Sequence, residues 1–238
     1  MLFIILLNIY NPIPHGGIFY GMYSGRDSLY NSDASIFIDV NLFQWRNFKF
    51  FIKYSSYLEM AEQKGKVVLD PKYATYSIIG GIRYFNRLYW AYYFDHYCRH
   101  LIDIDLQKGK VVFNAEIFEV SNLERLSFSS DYYFSFLYMF YPQAIIVDWL
   151  NSRPYYRHRF IFDYKKNIYN GFFGGISLEY TKSNDNPSIT YYRIEPEAYY
   201  AISRESGELY LFLKYFYKIK SPLRSPEDLI FFGMGMIF

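Results

Sequence analysis

The chain has 238 residues, a formal net charge of +2 and a mean hydropathy of −0.09. Tyr and Phe are so abundant that aromatic residues make up 24% of the chain, roughly two to three times the usage of soluble domains. The small charge gives no reason to expect a nucleic-acid partner. The lack of an apolar run of about 18 residues excludes a transmembrane helix. The single cysteine excludes an internal disulfide and a cysteine-cluster metal site, and no cofactor or metal is expected.

The first seven residues are almost entirely apolar. They have the character of a signal-peptide core, but the basic residues before it and a small-residue cleavage site are missing. Either the chain starts within a signal sequence or these residues form an apolar N-terminal strand. We therefore predict an N-terminal segment at 1–16 and a single domain at 17–238.

Alternation of apolar and polar residues predicts about twelve strands. In 35–43, for example, Ile36 and Ile38 share one face while Asp39 and Asn41 share the other. The segment 111–120 also alternates, but a further crossing would make the strand number odd, so we interpret it as part of a long loop at 97–125. The predicted strands are 17–24, 35–43, 47–60, 75–85, 88–96, 126–141, 144–150, 155–165, 168–181, 189–203, 208–218 and 228–238.

The connections between these strands are unequal in length. The short ones all fall at one end, and most of the longer ones fall at the other. This asymmetry is typical of membrane barrels, which have short periplasmic turns and longer extracellular loops. The fold class predicted is thus all-β, a closed antiparallel transmembrane β-barrel of about twelve strands. The short turns are predicted at 44–46, 86–87, 142–143, 166–167 and 204–207.

The last strand carries large apolar residues at every second position, with Gly233 and Gly235 between them. A chain that ends on Phe after such a strand resembles the bacterial outer-membrane β-barrel proteins. The resemblance implies location in the outer membrane, contact with its lipids, and recognition of the terminal strand by the barrel-assembly machinery. Strand 228–238 is expected to close the barrel against 17–24. The residues implied as the assembly signal are Phe232, Met234, Met236 and Phe238.

Charged residues of both signs fall on the faces predicted to line the lumen. Balanced charge has a structural interpretation, a ladder of ion pairs filling a narrow lumen, and a functional one, a track for a polar substrate. The first favours a non-enzymatic envelope protein that is structural or passes small solutes, and the second a narrow porin. Basic residues in the longer loops would also bind lipopolysaccharide phosphates, although ordinary solvation explains them equally well. The predicted ladder consists of Lys49, Lys53, Glu59, Arg83, Asp95, Arg157, Arg159, Asp163, Glu179, Arg193, Glu195, Glu197 and Lys214.

The densest cluster of reactive side chains is the run DHYCRHLID at 95–103. Its spacing loosely resembles a rim motif of the domain-of-unknown-function family 1207, which implies no activity. Strand parity places both histidines of the run on the membrane-facing row. A lipid hydrolase, of the phospholipase or lipid A deacylase type, would use His96 or His100 as base, Asp103 to orient it and Ser130 as nucleophile.

Two other interpretations of this cluster stay open. The residues are equally well explained as polar groups at the membrane interface beside an aromatic belt. A metal site of His96, His100 and Asp103 would require the segment to be helical, because on a strand the two histidines stand about 13 Å apart. The motif of outer-membrane phospholipases, with His two residues before Ser, is absent.

Overall fold

A computed structural model describes residues 14–27, 30–60, 71–102, 110–147, 156–183, 190–217, 226 and 228–238. Within these residues no helix is long and apolar enough to cross a membrane.

The described residues form a closed barrel of twelve strands in which every neighbouring pair is antiparallel. The predicted fold class is therefore confirmed. The strands are β1 His15–Asp27, β2 Tyr30–Trp45, β3 Phe48–Met60, β4 Pro71–Phe85, β5 Tyr89–Leu101, β6 Lys110–Ser121, β7 Tyr132–Val147, β8 Tyr156–Tyr169, β9 Phe172–Ser183, β10 Thr190–Arg204, β11 Gly207–Tyr215 and β12 Ile230–Ile237.

The two ends of the barrel differ, and four of the five connections at one of them are short, as the sequence predicts. At one end, here called the turn end, strands are joined by the short connections 46–47, 86–88, 170–171 and 205–206. Asn170 and Gly171 both have positive φ, as a tight two-residue hairpin turn requires. A fifth connection at this end, 122–131, is longer. The opposite end, here called the loop end, carries the other connections.

Two strand assignments made from the sequence are wrong, and the errors cancel in the total. The segment assigned to a loop is strand β6, and the predicted turn at Pro142 and Gln143 lies inside the continuous strand β7. Proline usually ends a strand because it cannot donate to the ladder. Here it falls at a register shift between Asn114 and Glu116 of β6, where β7 accommodates one extra residue as a bulge. The turn predicted at 166–167 is also wrong, because these residues lie inside β8 and the turn falls at 170–171.

Strand alternation separates an apolar outer face from a polar inner one. Side chains such as Leu42, Tyr92 and Met234 are more than half exposed on the outside. Charged residues such as Arg83, Arg99 and Glu195 are buried on the inside. An apolar band around a barrel, with aromatic residues near its edges, is the surface that a bilayer covers.

The barrel closes where β1 pairs with β12, as predicted, with Gly17 opposite Ile237 and Tyr23 opposite Phe231. The Gly16 amide donates to the Phe238 carbonyl at 2.8 Å, and the Phe238 amide donates back to Gly16 at 2.9 Å. The last residue of the chain is thus held in the ladder.

Candidate functional site

The predicted charge ladder lies in the lumen, except for Arg157. Arg157 is exposed beside the register shift between Tyr156 and His158, which takes it out of the inward-facing row. The remaining positions are inward because they keep the parity of their strands. The inward-facing set is Lys49, Lys53, Glu59, Arg83, Asp95, Arg159, Asp163, Glu179, Arg193, Glu195, Glu197 and Lys214.

The wall formed by β8 to β11 carries a continuous network of ion pairs. Arg159 contacts Glu179 at 2.8 Å. Arg193 lies 3.5 Å from Glu179 and 3.4 Å from Glu195. Lys214 then lies 3.0 Å from Glu195 and 2.8 Å from Glu197. Each charge is shared between neighbouring strands, so the network ties four strands together.

Glu197 ends this network. Its carboxylate accepts from Lys214 and contacts Lys165 at 3.0 Å. Lys165 was not among the predicted ladder residues, although it shares the parity of Asp163 on β8. Burial of the Lys165 ammonium group is tolerated here because this carboxylate is paired with it.

The opposite wall has two separate pairs. Arg99 donates twice to Glu59 at 2.7 and 2.9 Å, in the bidentate geometry that strengthens such pairs. Arg83 donates to both oxygens of Asp39, at 2.5 and 2.9 Å. Lys53 instead lies over the Phe37 ring at 5.1 Å.

The long connection 122–131, here called the inner segment, enters the lumen at the turn end. Its Glu124 contacts Lys49 at 2.6 Å and Arg83 at 3.4 Å, on β3 and β4. These two strands are separated from β6 by β5. The segment therefore reaches one wall of the barrel through ion pairs.

The other half of the inner segment is fixed to the opposite wall. Phe128 is 5% exposed, and its ring lies 5.2 Å from Phe173 and Tyr199 and 5.0 Å from Tyr210. The Glu208 carboxylate accepts from the amides of residues 128 and 129, both at 2.9 Å. The inner segment thus crosses the bore from β3 and β4 to β9, β10 and β11.

A cavity of about 840 Å³ remains in the lumen. Leu126 of the inner segment lines it, together with tyrosines and the charged pairs of both walls. Asp95 accepts a hydrogen bond from Ser77 at 2.5 Å, and Asp163 lies 3.4 Å from the Ser135 hydroxyl. The cavity surface therefore combines aromatic rings with hydroxyl and charged groups of both signs.

A second polar region lies on the outer face of β5 and β6. His96 Nδ1 lies 2.8 Å from Asn114 Oδ1 on the neighbouring strand. Two residues further along β5, Cys98 Sγ lies 2.7 Å from His100 Nε2. Nearer the turn end, the Tyr92 hydroxyl donates to Glu116 at 3.1 Å. This region, here called the outer polar patch, consists of Tyr92, His96, Cys98, His100, Asn114 and Glu116.

The structure does not bring Ser130 to the histidines. Ser130 belongs to the inner segment at the turn end, whereas β5 runs from Tyr89 at that end towards the loop end. His96 and His100 are seven and eleven residues beyond Tyr89, or ~23 and ~36 Å along the strand at 3.3 Å per residue. Asp103 lies outside the described residues, and no group of three His, Cys, Asp or Glu side chains able to hold a metal occurs within them.

Sequence reasoning missed Asn114, Glu116 and the inner segment for one reason. With β6 interpreted as a loop, neither residue was given a face, and 126–131 was assigned to a strand. The signal that was available is the even spacing of Val112, Asn114, Glu116 and Phe118, which share the outer face of β6.

No family model matches the chain, and a search of curated proteins found no match. The resemblance to family 1207 is therefore not shown. Solved structures of outer-membrane barrels do match. Outer membrane phospholipase A from Escherichia coli is 9% identical, with 95% of this chain and 97% of that chain covered and a TM-score of 0.58.

The phospholipase of Salmonella typhi, solved as a dimer with bound calcium, matches with 9% identity, 97% and 93% coverage and a TM-score of 0.59. The NanC porin matches with 13% identity, 94% and 98% coverage and a TM-score of 0.53. At such low identity these structures establish the fold alone. The chain has the fold of an outer-membrane β-barrel, a fold that hosts both an enzyme and a porin.

Proposed function

We propose that this protein is a bacterial outer-membrane barrel whose lumen is largely closed by side chains and has a non-enzymatic envelope role, structural or passing small polar solutes. The observation that carries the proposal is the inner segment. It crosses the bore and is anchored to one wall through Glu124 and to the other through Phe128 and Glu208. A barrel closed in this way offers no wide aqueous path.

The charges of the lumen support the same conclusion. Pores that select cations or anions present an excess of one sign along the path. Here arginines and lysines pair with carboxylates on the same wall of the barrel, one or two strands away, so the charges contribute to the wall. A narrow porin is the second candidate, favoured by the cavity of about 840 Å³, and it requires the inner segment to move aside.

Planar-bilayer conductance tests this proposal. We expect only small or rare current steps from the wild-type protein, because the inner segment blocks the turn end. Combining Glu124→Ala with Phe128→Ala and Glu208→Ala removes both anchors and should raise the single-channel conductance several-fold. Glu205→Ala, an exposed change in a neighbouring turn, is the control and should leave the current unchanged. A large stable current from the wild type would overturn the closed-lumen proposal.

We also propose that the terminal strand is the signal read by the barrel-assembly machinery. Phe232, Met234, Met236 and Phe238 all lie on the outer face and are well exposed. Phe238→Ser keeps the backbone hydrogen bonds to Gly16, so assembly should suffer more than folding. The expected result is a several-fold lower yield in the outer membrane, with normal refolding in detergent. Lipopolysaccharide as a partner stays a prediction from the basic loops.

A further inference from the structure

The outer polar patch is unusual for its position. The rest of the outer face in the described strands consists mainly of aliphatic and aromatic side chains, with lysines near its edges. Polar and ionisable groups that face lipid are costly, and by default they indicate function. Membrane insertion therefore does not explain the presence of His96, Asn114 and Glu116 on this face.

The height of the patch identifies the part of a lipid that it meets. A strand tilted by about 40° climbs about 2.5 Å per residue. Trp90 lies on the same face near the turn end, where interfacial aromatic residues are expected. Cys98 is thus about 20 Å above it, near the far edge of an apolar band about 25 Å tall. Ester carbonyls of membrane lipids lie at that edge, between the headgroups and the acyl chains.

The chemistry of the patch matches that position. Cys98 shares its face with a histidine two residues away on either side, and His100 Nε2 is within hydrogen-bond distance of its Sγ atom. A nucleophile in hydrogen-bond contact with a base is the arrangement found in acyl-transfer sites. Asn114 Oδ1 only accepts hydrogen bonds, so Nδ1 of His96 carries the proton, and Nε2 of that ring is left as a base.

We infer that the outer polar patch is a lipid esterase site in which Cys98 is the nucleophile and His100 the base. His100 takes the thiol proton, and the thiolate adds to the carbonyl of a membrane lipid ester. The carbon–oxygen bond breaks, the alkoxide takes the proton from His100, and an acyl thioester remains on Cys98.

Water then attacks the thioester. His96, whose Nδ1–H is held by Asn114, takes the proton of that water through Nε2 and returns it to the thiolate as the thiolate leaves. The net reaction consumes one ester and one water and yields a fatty acid and an alcohol, the lysolipid. This site uses neither Ser130 nor the lumen, so it is independent of the proposal that the lumen is closed.

Asn114 is a positioning residue in this scheme, because it acts through His96. Asn114→Asp keeps an oxygen that accepts the Nδ1 proton, whereas Asn114→Ala removes it. We expect release to fall about tenfold in Asn114→Ala and to be restored in Asn114→Asp. If Asn114 had only a structural role, Asn114→Asp would place a new carboxylate against lipid and would not restore release.

The test uses the full chain refolded in vesicles of dioleoyl phosphatidylethanolamine, with fatty-acid release and intact protein mass measured after acid quenching. Cys98→Ala should abolish release, and His100→Ala should lower it by about 100-fold, the size of a general-base effect. Wild-type protein should carry one oleoyl adduct on Cys98. Vesicles of the ether-linked analogue should give neither product nor adduct.

His158→Ala is the matched control. His158 is another histidine on the outer face, bound to the Tyr138 hydroxyl at 2.9 Å, and it takes no part in the patch. Its variant should keep full activity. A heat-modifiable shift on gels confirms that each variant is folded. Folded wild type that releases no fatty acid and gains no adduct would overturn the inference, and so would release that persists in Cys98→Ala.

Discussion

The lumen wall of β8 to β11 and the outer face of β5 and β6 use polar side chains in opposite ways. In the lumen, Glu195 and Glu197 are each held between two cations. On the outer face, the carboxylate of Glu116 accepts from a neutral phenol, and His96 is bound to a neutral amide. The lumen charges are balanced, whereas the polar groups outside have no ionic partner among these contacts.

This difference in pairing distinguishes polar residues that stabilise the fold from polar residues that serve a function. A paired charge inside a barrel is sufficiently explained by the neighbour it binds, because burial of an unpaired charge would be costly. A polar group facing lipid lowers stability and offers the barrel no compensating charge pair. Residues of the first kind should therefore resist substitution because the fold needs them. Those of the second kind should tolerate it in stability assays and fail only in functional ones.

Glu197→Ala gives the largest expected effect. The substitution leaves the buried Lys165 without its carboxylate and removes one of the two carboxylates that bind Lys214. Breaking a buried pair from one side costs about 3 kcal/mol of unfolding free energy. Urea unfolding in lipid vesicles, followed by tryptophan fluorescence, measures it. Glu205→Ala, in an exposed turn, should change the stability by less than about 0.5 kcal/mol. Equal stabilities for the two variants would show that the lumen charges are solvated.

Gly233→Ala should have the next largest effect, because it tests inward packing at the closing seam. A Cβ atom at this position would lie 2.1 Å from the Tyr20 carbonyl oxygen and 2.5 Å from the Gly21 Cα atom. Backbone atoms cannot move aside cheaply, so we expect a loss of about 1–3 kcal/mol. Met234→Leu, the next residue and outward-facing, should be nearly neutral in the same unfolding assay. If the two variants unfold alike, the seam is looser than its geometry indicates.

Much of this architecture follows from the sequence because strand alternation is a local property. Residue parity predicts that Ile36 and Ile38 face outward and Asp39 inward. The pairing of the terminal strand with β1 follows from the even number of strands in a closed barrel. The inward glycines of β12 are predicted to leave room for neighbouring side chains in the lumen, and the structure agrees. Tyr210 lies over Gly235, where a Cβ atom would meet its ring at 2.3 Å.

The inner segment could not be predicted, because its place depends on contacts that are distant in sequence. Glu124 meets a lysine 75 residues away, and Phe128 binds through its amide to a carboxylate 80 residues away. Local alternation gives no information on such pairs. Pro142 misled the strand assignment for a related reason, since only the bulge opposite β6 makes a proline acceptable there. The missed β6 in turn concealed two of the six residues of the outer polar patch.

Glu116→Leu should have the smallest effect, and it tests the difference between the outer and inner faces on a single strand. Glu116 faces outward, so leucine removes a carboxylate from the lipid-facing surface and loses one hydrogen bond to Tyr92. The cost of a lipid-facing carboxylate is below the ~2–4 kcal/mol of a midplane lysine, and a hydrogen bond contributes about 1 kcal/mol. The net change in unfolding free energy should therefore lie between zero and about 1 kcal/mol of stabilisation.

Glu119→Leu, three residues away on β6, is the matched change on the inner face. Glu119 accepts from the Tyr93 hydroxyl at 3.0 Å, and Tyr93 is itself buried in the lumen. Leucine here leaves a buried hydroxyl without its acceptor, which should destabilise the barrel by about 1–3 kcal/mol. The same substitution on one strand is thus expected to act with opposite sign according to the face. Destabilisation of equal size at both positions would mean that Glu116 also has a structural role.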